Sequence, residues 1–202
     1  MILRLTLDVN VWVNNYLSLA MGQEESAAQQ LVRSAFAGHC RLGPVQPVMS
    51  HAMLDTLQEV LARSGLPEVY AVAARNAVEA AATGGIAQEP PHLVLASGVQ
   101  PVMDAEDRNV LETAIAGAAD LLVTNNLADF TPGPRADIDA EIIRLGLAGR
   151  ADILLFRHPR LEHGLVIASV FAARAWLIDG IAPPKGILGR FFPQENSPPK
   201  TP

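Results

Sequence analysis

The chain has 202 residues, half of them apolar, a net charge of −6 and a single cysteine, Cys40. That length suits one domain with a sizeable core, one thiol excludes an internal disulfide framework, and the negative balance excludes a global basic field for nucleic acid. The acidic excess is uneven: residues 1–107 carry 11 Asp and Glu against 5 Lys and Arg, and the remainder 10 against 10. A carboxylate metal site would concentrate negative charge in that way, and so would ordinary solubility. "MILRLTLD" meets an acid too early for the apolar stretch of a signal peptide. No apolar run approaches the roughly 18 residues that span a bilayer. The expectation is a cytoplasmic protein without a membrane segment.

In chain order, residues 2–7 read as a buried strand that ends at Asp8. A helix follows to about Leu19, and a second runs from about Glu24 to Ala37, closed by Gly38. "CRLGPVQPVM" is extended, and Pro44 and Pro47 favour an edge or irregular strand. Ser50 caps "HAMLDTLQEVLARSG", whose Met53, Leu57, Val60 and Leu61 share one face. An Ala-rich helix spans about Pro67 to Ala82, and "PHLVLASG" is a short strand or an extended linker. Asp104 opens a helix to about Ala116, and "ADLLVT" is a second buried strand. Helix alternating with strand means a parallel α/β sheet with crossover helices.

Beyond Phe130 the pattern loosens. "ADIDAEIIRLGLAG" reads as a helix, "ADILLFRHP" as a strand, and "RLEHGLVIASVFAARAWLIDG" as one long apolar helix. The expected organisation is a core over 1–130, an extension over 131–190 that closes the domain or forms a partner surface, and a disordered tail over 191–202.

Ligands of parallel sheets bind outside the carboxyl ends of the strands. Two strands end there in Asp8-Val9-Asn10 and Thr124-Asn125-Asn126, with Asp129 one turn on. The helix start between them carries Asp104, Glu106 and Asp107. If the two strands are neighbours, Asp8, Asp107 and Asn126 converge, and oxygen ligands so gathered suit Mg²⁺ or Mn²⁺. Taken singly, Asp8 and Asp104 are helix caps and Asn126 a turn residue. The five histidines have no metal-ligand spacing, and Cys40 has no partner and no nearby basic cluster to activate it. Trp12 and Tyr16, four apart, share a helix face and read as core before base-stacking platform. The arginines at 135, 144, 150, 157 and 160 form a candidate RNA-facing rim, interleaved with acids.

Three stretches together resemble the PIN-domain proteins, in particular toxin components of bacterial toxin–antitoxin pairs. "LDVNVWV" resembles that family's opening "DTNVLV". "VMSHAMLDTLQEVLAR" is similar to its Ser-capped helix, and "DAEDRNVLETAIAGAADLLVTNNLADF" to its block "DPDDxxVLxxAxxxxADxLVTxNxxDF". The resemblance covers about residues 2–130. It implies a three-layer α/β/α sandwich with a parallel central sheet and an Mg²⁺- or Mn²⁺-dependent ribonuclease acting on single-stranded RNA. An antitoxin protein is the implied partner, and we expect a homodimer. Asp8 matches the family's first acid and Asp107 its third. Asn126 stands where many members have a fourth Asp, Asn10 and Thr124 match its small polar residues beside the metal, and Ser50 matches the cap.

The second acid of the pattern, a Glu six residues after Ser50, is here Thr56. The apolar register around it is intact, so the replacement is not an alignment shift. Glu59 lies about 60° round the helix from Thr56, and Asp55 about 100°. Glu59 is therefore the better substitute by geometry, with a solvent-facing charge as its simpler reading. The expected metal set is Asp8, Asp107 and Asn126, with Asp104 and Glu59 as further ligands directly or through water. The alternative from another class is a catalytically impaired PIN fold that binds RNA or protein.

Overall fold

The computed structural model describes residues 1–94, 105–130, 139–144 and 152–192. Among the described residues seven strands form one sheet: β1 (Leu3–Leu7), β2 (His39–Cys40), β3 (Gly43–Pro47), β4 (Leu121–Thr124), β5 (Asp139–Arg144), β6 (Asp152–Arg157) and β7 (Leu165–Ser169), in the order β2-β3-β1-β4-β7-β6-β5. Among the same residues six α-helices accompany them: α1 (Val9–Ala20), α2 (Ala27–Ala37), α3 (His51–Arg63), α4 (Glu68–Thr83), α5 (Ala105–Ala116) and α6 (Val170–Leu177), with a 3₁₀ turn at Leu127–Phe130.

The centre, β3-β1-β4-β7, is parallel. Its strands are covered on both faces, which is why β1 and β4 read as continuous apolar runs rather than alternating ones. Leu3, Leu5 and Leu7 are buried, and so are all four residues of β4. Alpha helices α2 and α6 pack together, as do α3, α4 and α5. Right-handed crossovers put these two groups on opposite faces, so the fold is the expected α/β/α sandwich.

The sheet as a whole is mixed rather than parallel. The antiparallel hairpin β5-β6 adds to β7, and β2 pairs antiparallel with β3. The two prolines lie in β3, which is paired on both sides, though β2 spans just two residues. Two helix expectations are corrected. Within "ADIDAEIIRLGLAG", residues Asp139–Arg144 form β5, held by its antiparallel ladder with β6. The long helix expected over 160–180 is strand β7 followed by α6. "LVIAS" has an all-round apolar, β-branched character that fits a buried parallel strand as well as a helix, and Ser169 then caps α6 through its hydroxyl, which accepts the N–H of Ala172 at 3.3 Å.

The remaining boundaries follow local chemistry. Ser26 and Gln29 make a capping box at α2, and Gly38 closes that helix in the left-handed region at φ 64°. Ser50 caps α3, its buried hydroxyl accepting the N–H of Met53 at 3.3 Å. Ser50→Ala is expected to cost about 1 kcal/mol and to lower the melting midpoint by roughly 2–4 °C, read by thermal unfolding. Of "PHLVLASG", His92 makes a single parallel bridge with Ser50, and residues 95–98 lie outside the described residues. Phe191 and Phe192 pack against the core; the remainder of the expected tail, 193–202, lies outside the described residues.

Candidate metal centre

The carboxyl ends of β1, β3, β4 and β7 share one edge of the sheet. Asp8, Ser50 and Ser169 stand at three of these ends as the N-cap residues of α1, α3 and α6. Thr124, at the end of β4, is in register with Ser169. Helix α5 runs back against the strands before β4 begins, and it packs on β1, β4 and the 3₁₀ turn. Its first turn, which holds Glu106 and Asp107, therefore lies toward the same edge. Helix N-termini gathered in this way favour anions, whether carboxylates or phosphates.

Asp8 is the most constrained of the candidates. It is 4% exposed, and its backbone N–H donates to the carbonyl of Val123 at 2.9 Å, continuing the β1-β4 ladder. Its Oδ2 accepts the Thr124 hydroxyl at 2.7 Å and the Asn10 amide at 2.6 Å. Burial pushes the Asp8 carboxyl above its ordinary value. The Thr124 hydroxyl, the backbone N–H groups of Asn10 and Val9, and the Asn10 amide pull it down by less. These partners are neutral, and among the described residues no Lys, Arg or His forms an ion pair with Asp8. A buried carboxylate is ordinarily paired with a cation or a metal.

Asn10 ties the two strand ends together. Its Oδ1 accepts the backbone N–H of Asn125 at 3.1 Å, and its backbone carbonyl accepts the Asn125 amide at 3.4 Å. Thr124 Oγ1 in turn accepts the N–H of Asn126 at 2.9 Å. The Asp8–Asn10–Thr124 trio is thus a locked unit, joined by Asn125, a residue to which the sequence alone assigned no role. The doublet of asparagines after a strand was the available signal.

The other candidates are looser. Asn126 is exposed and its amide donates to Asp129, and among the described residues its link to Asp8 runs from its backbone N–H through the hydroxyl of Thr124. Asp107 is half-buried. Thr56 is half-buried on α3, while Glu59 is exposed on the same helix. Asp55 is exposed and pairs with Arg75 on α4 at 3.4 Å. Asp104 lies outside the described residues. Ser50 is fully buried and spent on its cap.

The donors are all oxygen, which suits a hard divalent cation in kind. Among the described residues no group of three or more His, Cys, Asp or Glu side chains could hold a metal ion. Asp8 with neutral oxygens is therefore the nucleus of the site, and its charge is low. Among the described residues, too, no helix is long and apolar enough to cross a membrane.

Comparison with curated proteins and with solved structures gives no match. A family model does match: that of the PIN domain, over residues 4–128, a span that begins in β1 and ends in the 3₁₀ turn beside Thr124 and so contains each of these candidates. The chain belongs to the PIN domain family, whose members are generally nucleases.

Proposed function

We propose that this protein is an Mg²⁺- or Mn²⁺-dependent endoribonuclease that hydrolyses phosphodiester bonds of single-stranded RNA. In this reading it is the toxin of a toxin–antitoxin pair, works in the cytoplasm as a homodimer and is held by an antitoxin protein. One observation carries the metal-dependent reading: a buried carboxylate, Asp8, is fixed at the mouth of the sheet by neutral hydrogen bonds and has no cationic partner among the described residues. The toxin role is supported by the resemblance of "DAEDRNVLETAIAGAADLLVTNNLADF" to the family block.

Asp8 and Asp107 would hold the cation. Asn126, Asp104 and Glu59 would complete its shell directly or through water. A divalent ion so held supplies Lewis acidity and an activated water for phosphodiester hydrolysis. Asn10 and Thr124 keep the Asp8 carboxylate in one orientation, and the N-termini of α1, α3 and α6 favour the anionic backbone of RNA.

A second reading has its own observation. Thr56 stands where the family pattern has its second acid, and the described acids do not form a group of three. Fewer carboxylates mean weaker cation binding, and the fold would then serve as a module that binds RNA or protein. Thr56→Glu separates the two. If the protein is a binding module, the substitution raises Mn²⁺-dependent cleavage of a fluorescent single-stranded RNA from background by tenfold or more, roughly the effect of a partner group at a metal site. If the native chain already cleaves and Thr56→Glu leaves the rate unchanged, the nuclease reading stands and Thr56 is no defect.

A further inference from the structure

Helix α6 leaves one large side chain in water. Val170, Ala172, Ala173, Trp176 and Leu177 are buried, whereas Phe171, in the first turn of the helix, is 64% exposed. An exposed apolar side chain is ordinary by itself, so its place decides what it can do. Among the described residues two other aromatic side chains are largely exposed, Phe36 and Tyr70. Phe36 is met by the ring of Trp12, and Tyr70 stands in the first turn of α4, which begins where α3 ends, away from the Asp8 edge. The Phe171 ring meets no other ring and no cation among the described residues.

Phe171 stands at the Asp8 edge. Ser169, the cap of its helix, is the partner of Thr124 across β4 and β7, and Thr124 donates its hydroxyl to Asp8 at 2.7 Å. Asp8 follows β1, with β4 next to it and β7 next to that. Two strand spacings, roughly 10 Å, therefore separate the backbone of Asp8 from that of Ser169. Phe171 comes two residues after the cap, about 3 Å of helical rise. Side chains of a helix lean toward its N-terminus, which here carries the ring back toward the mouth of the sheet. The other groups at this edge are polar: Asn125 and Asn126 are exposed and Ser169 is half-buried. Ile181, among the described residues the nearest exposed large apolar residue along the chain, lies beyond the far end of α6. A lone ring in polar surroundings suits the face of a flat ligand better than the continuous apolar patch that a protein partner covers.

We infer that Phe171 is a stacking platform for one base of the RNA strand, beside the nucleotide held at Asp8. The inference rests on the reading of that edge as the site of phosphodiester cleavage. A base laid on an aromatic ring is held through its π-face, so the contact accepts any base. It requires that base to be splayed out, because a paired and stacked base has no free face. Phe171 thereby selects single strands over duplexes without reading their sequence.

The test uses the full chain and short single-stranded RNAs that carry 2-aminopurine at successive positions, a base whose fluorescence changes on stacking. Titrations with and without Mn²⁺ give affinity and stacking together, and cleavage of the same strands is scored in parallel. The native chain is expected to change the fluorescence saturably at one position or at a neighbouring pair. Phe171→Ala should remove that change and weaken binding about tenfold. Phe171→Leu, which keeps apolar area but no ring, should do the same, and Phe171→Trp should restore both. Tyr70→Ala should leave both unchanged, and a duplex of the same sequence should bind the native and Phe171→Ala proteins alike. Native affinity in a folded Phe171→Leu protein overturns the proposal. So does a 2-aminopurine signal that the native chain leaves unchanged at every position. In either case the cleavage assay decides separately whether the Asp8 edge is a nuclease. Loss of a dimer in Phe171→Ala, seen by light scattering with the RNA signals intact, assigns the ring to an interface between protein copies and also overturns the proposal.

Discussion

Asp8→Asn is expected to abolish the stabilisation that Mn²⁺ confers and to reduce RNA cleavage by at least about 100-fold, the upper end of what losing even an outer partner of a metal ligand costs. The readouts are the melting midpoint with and without Mn²⁺ and the cleavage rate of a single-stranded RNA. A cation that binds only the folded chain stabilises it by mass action, by about 2.7 kcal/mol at a concentration 100 times its dissociation constant. The native protein should show that rise and Asp8→Asn should not. An unchanged midpoint for the native protein at millimolar Mn²⁺ would remove the basis of the nuclease reading.

The same residue fixes the pH dependence. Burial raises the Asp8 carboxyl above its unfolded value, so the folded chain takes up this proton first as the pH falls. For the cation-free protein, the Asp8 contribution to stability is fully present below the unfolded value and is lost as the pH rises through the folded one. Cation binding has the opposite sense, because a ligand carboxyl must be deprotonated. The Mn²⁺-induced rise in midpoint should therefore fade on acidification. A rise that persists undiminished as the pH falls through the carboxylate range would mean that no carboxylate holds the cation.

The sequence carried the nucleus of this site but not its perimeter. Asp8 and Thr124 were legible because each ends a short apolar run, and in a parallel sheet such ends meet at one edge; the 2.7 Å bond between them is the outcome. Asn10 was legible through the resemblance of "LDVNVWV" to the family's opening motif. The direction of the Asn126 side chain was not, because an exposed amide turns to its nearest acceptor, here Asp129 three residues on. The C-terminal half was misread where apolar runs had no polar partner to set a period. "LVIAS" and the helix it feeds are apolar on every side, and only the ladder to β4 and the cap at Ser169 separate strand from helix.

Trp12→Ala is expected to destabilise the fold by about 3–5 kcal/mol, the range for removing a large buried aromatic, and the loss should reach the metal centre. Trp12 is fully buried on α1. Its indole Nε1–H donates to the carbonyl of Leu7 at 3.0 Å, and its ring meets the edge of Phe36 on α2 at 5.6 Å. It therefore clamps α1 to the residue immediately before Asp8. Trp12→Phe separates packing from clamping: most of the apolar volume remains, but the Leu7 carbonyl loses its donor, at a cost of about 1–3 kcal/mol if no water replaces it. Urea unfolding gives both stabilities, and Mn²⁺ titration of the still-folded Trp12→Phe protein gives the coupling. If the clamp positions Asp8, Trp12→Phe weakens Mn²⁺ binding as well as stability. If Mn²⁺ binding is unchanged while stability falls, Trp12 serves the core alone, and the orientation of Asp8 rests on Thr124 and Asn10.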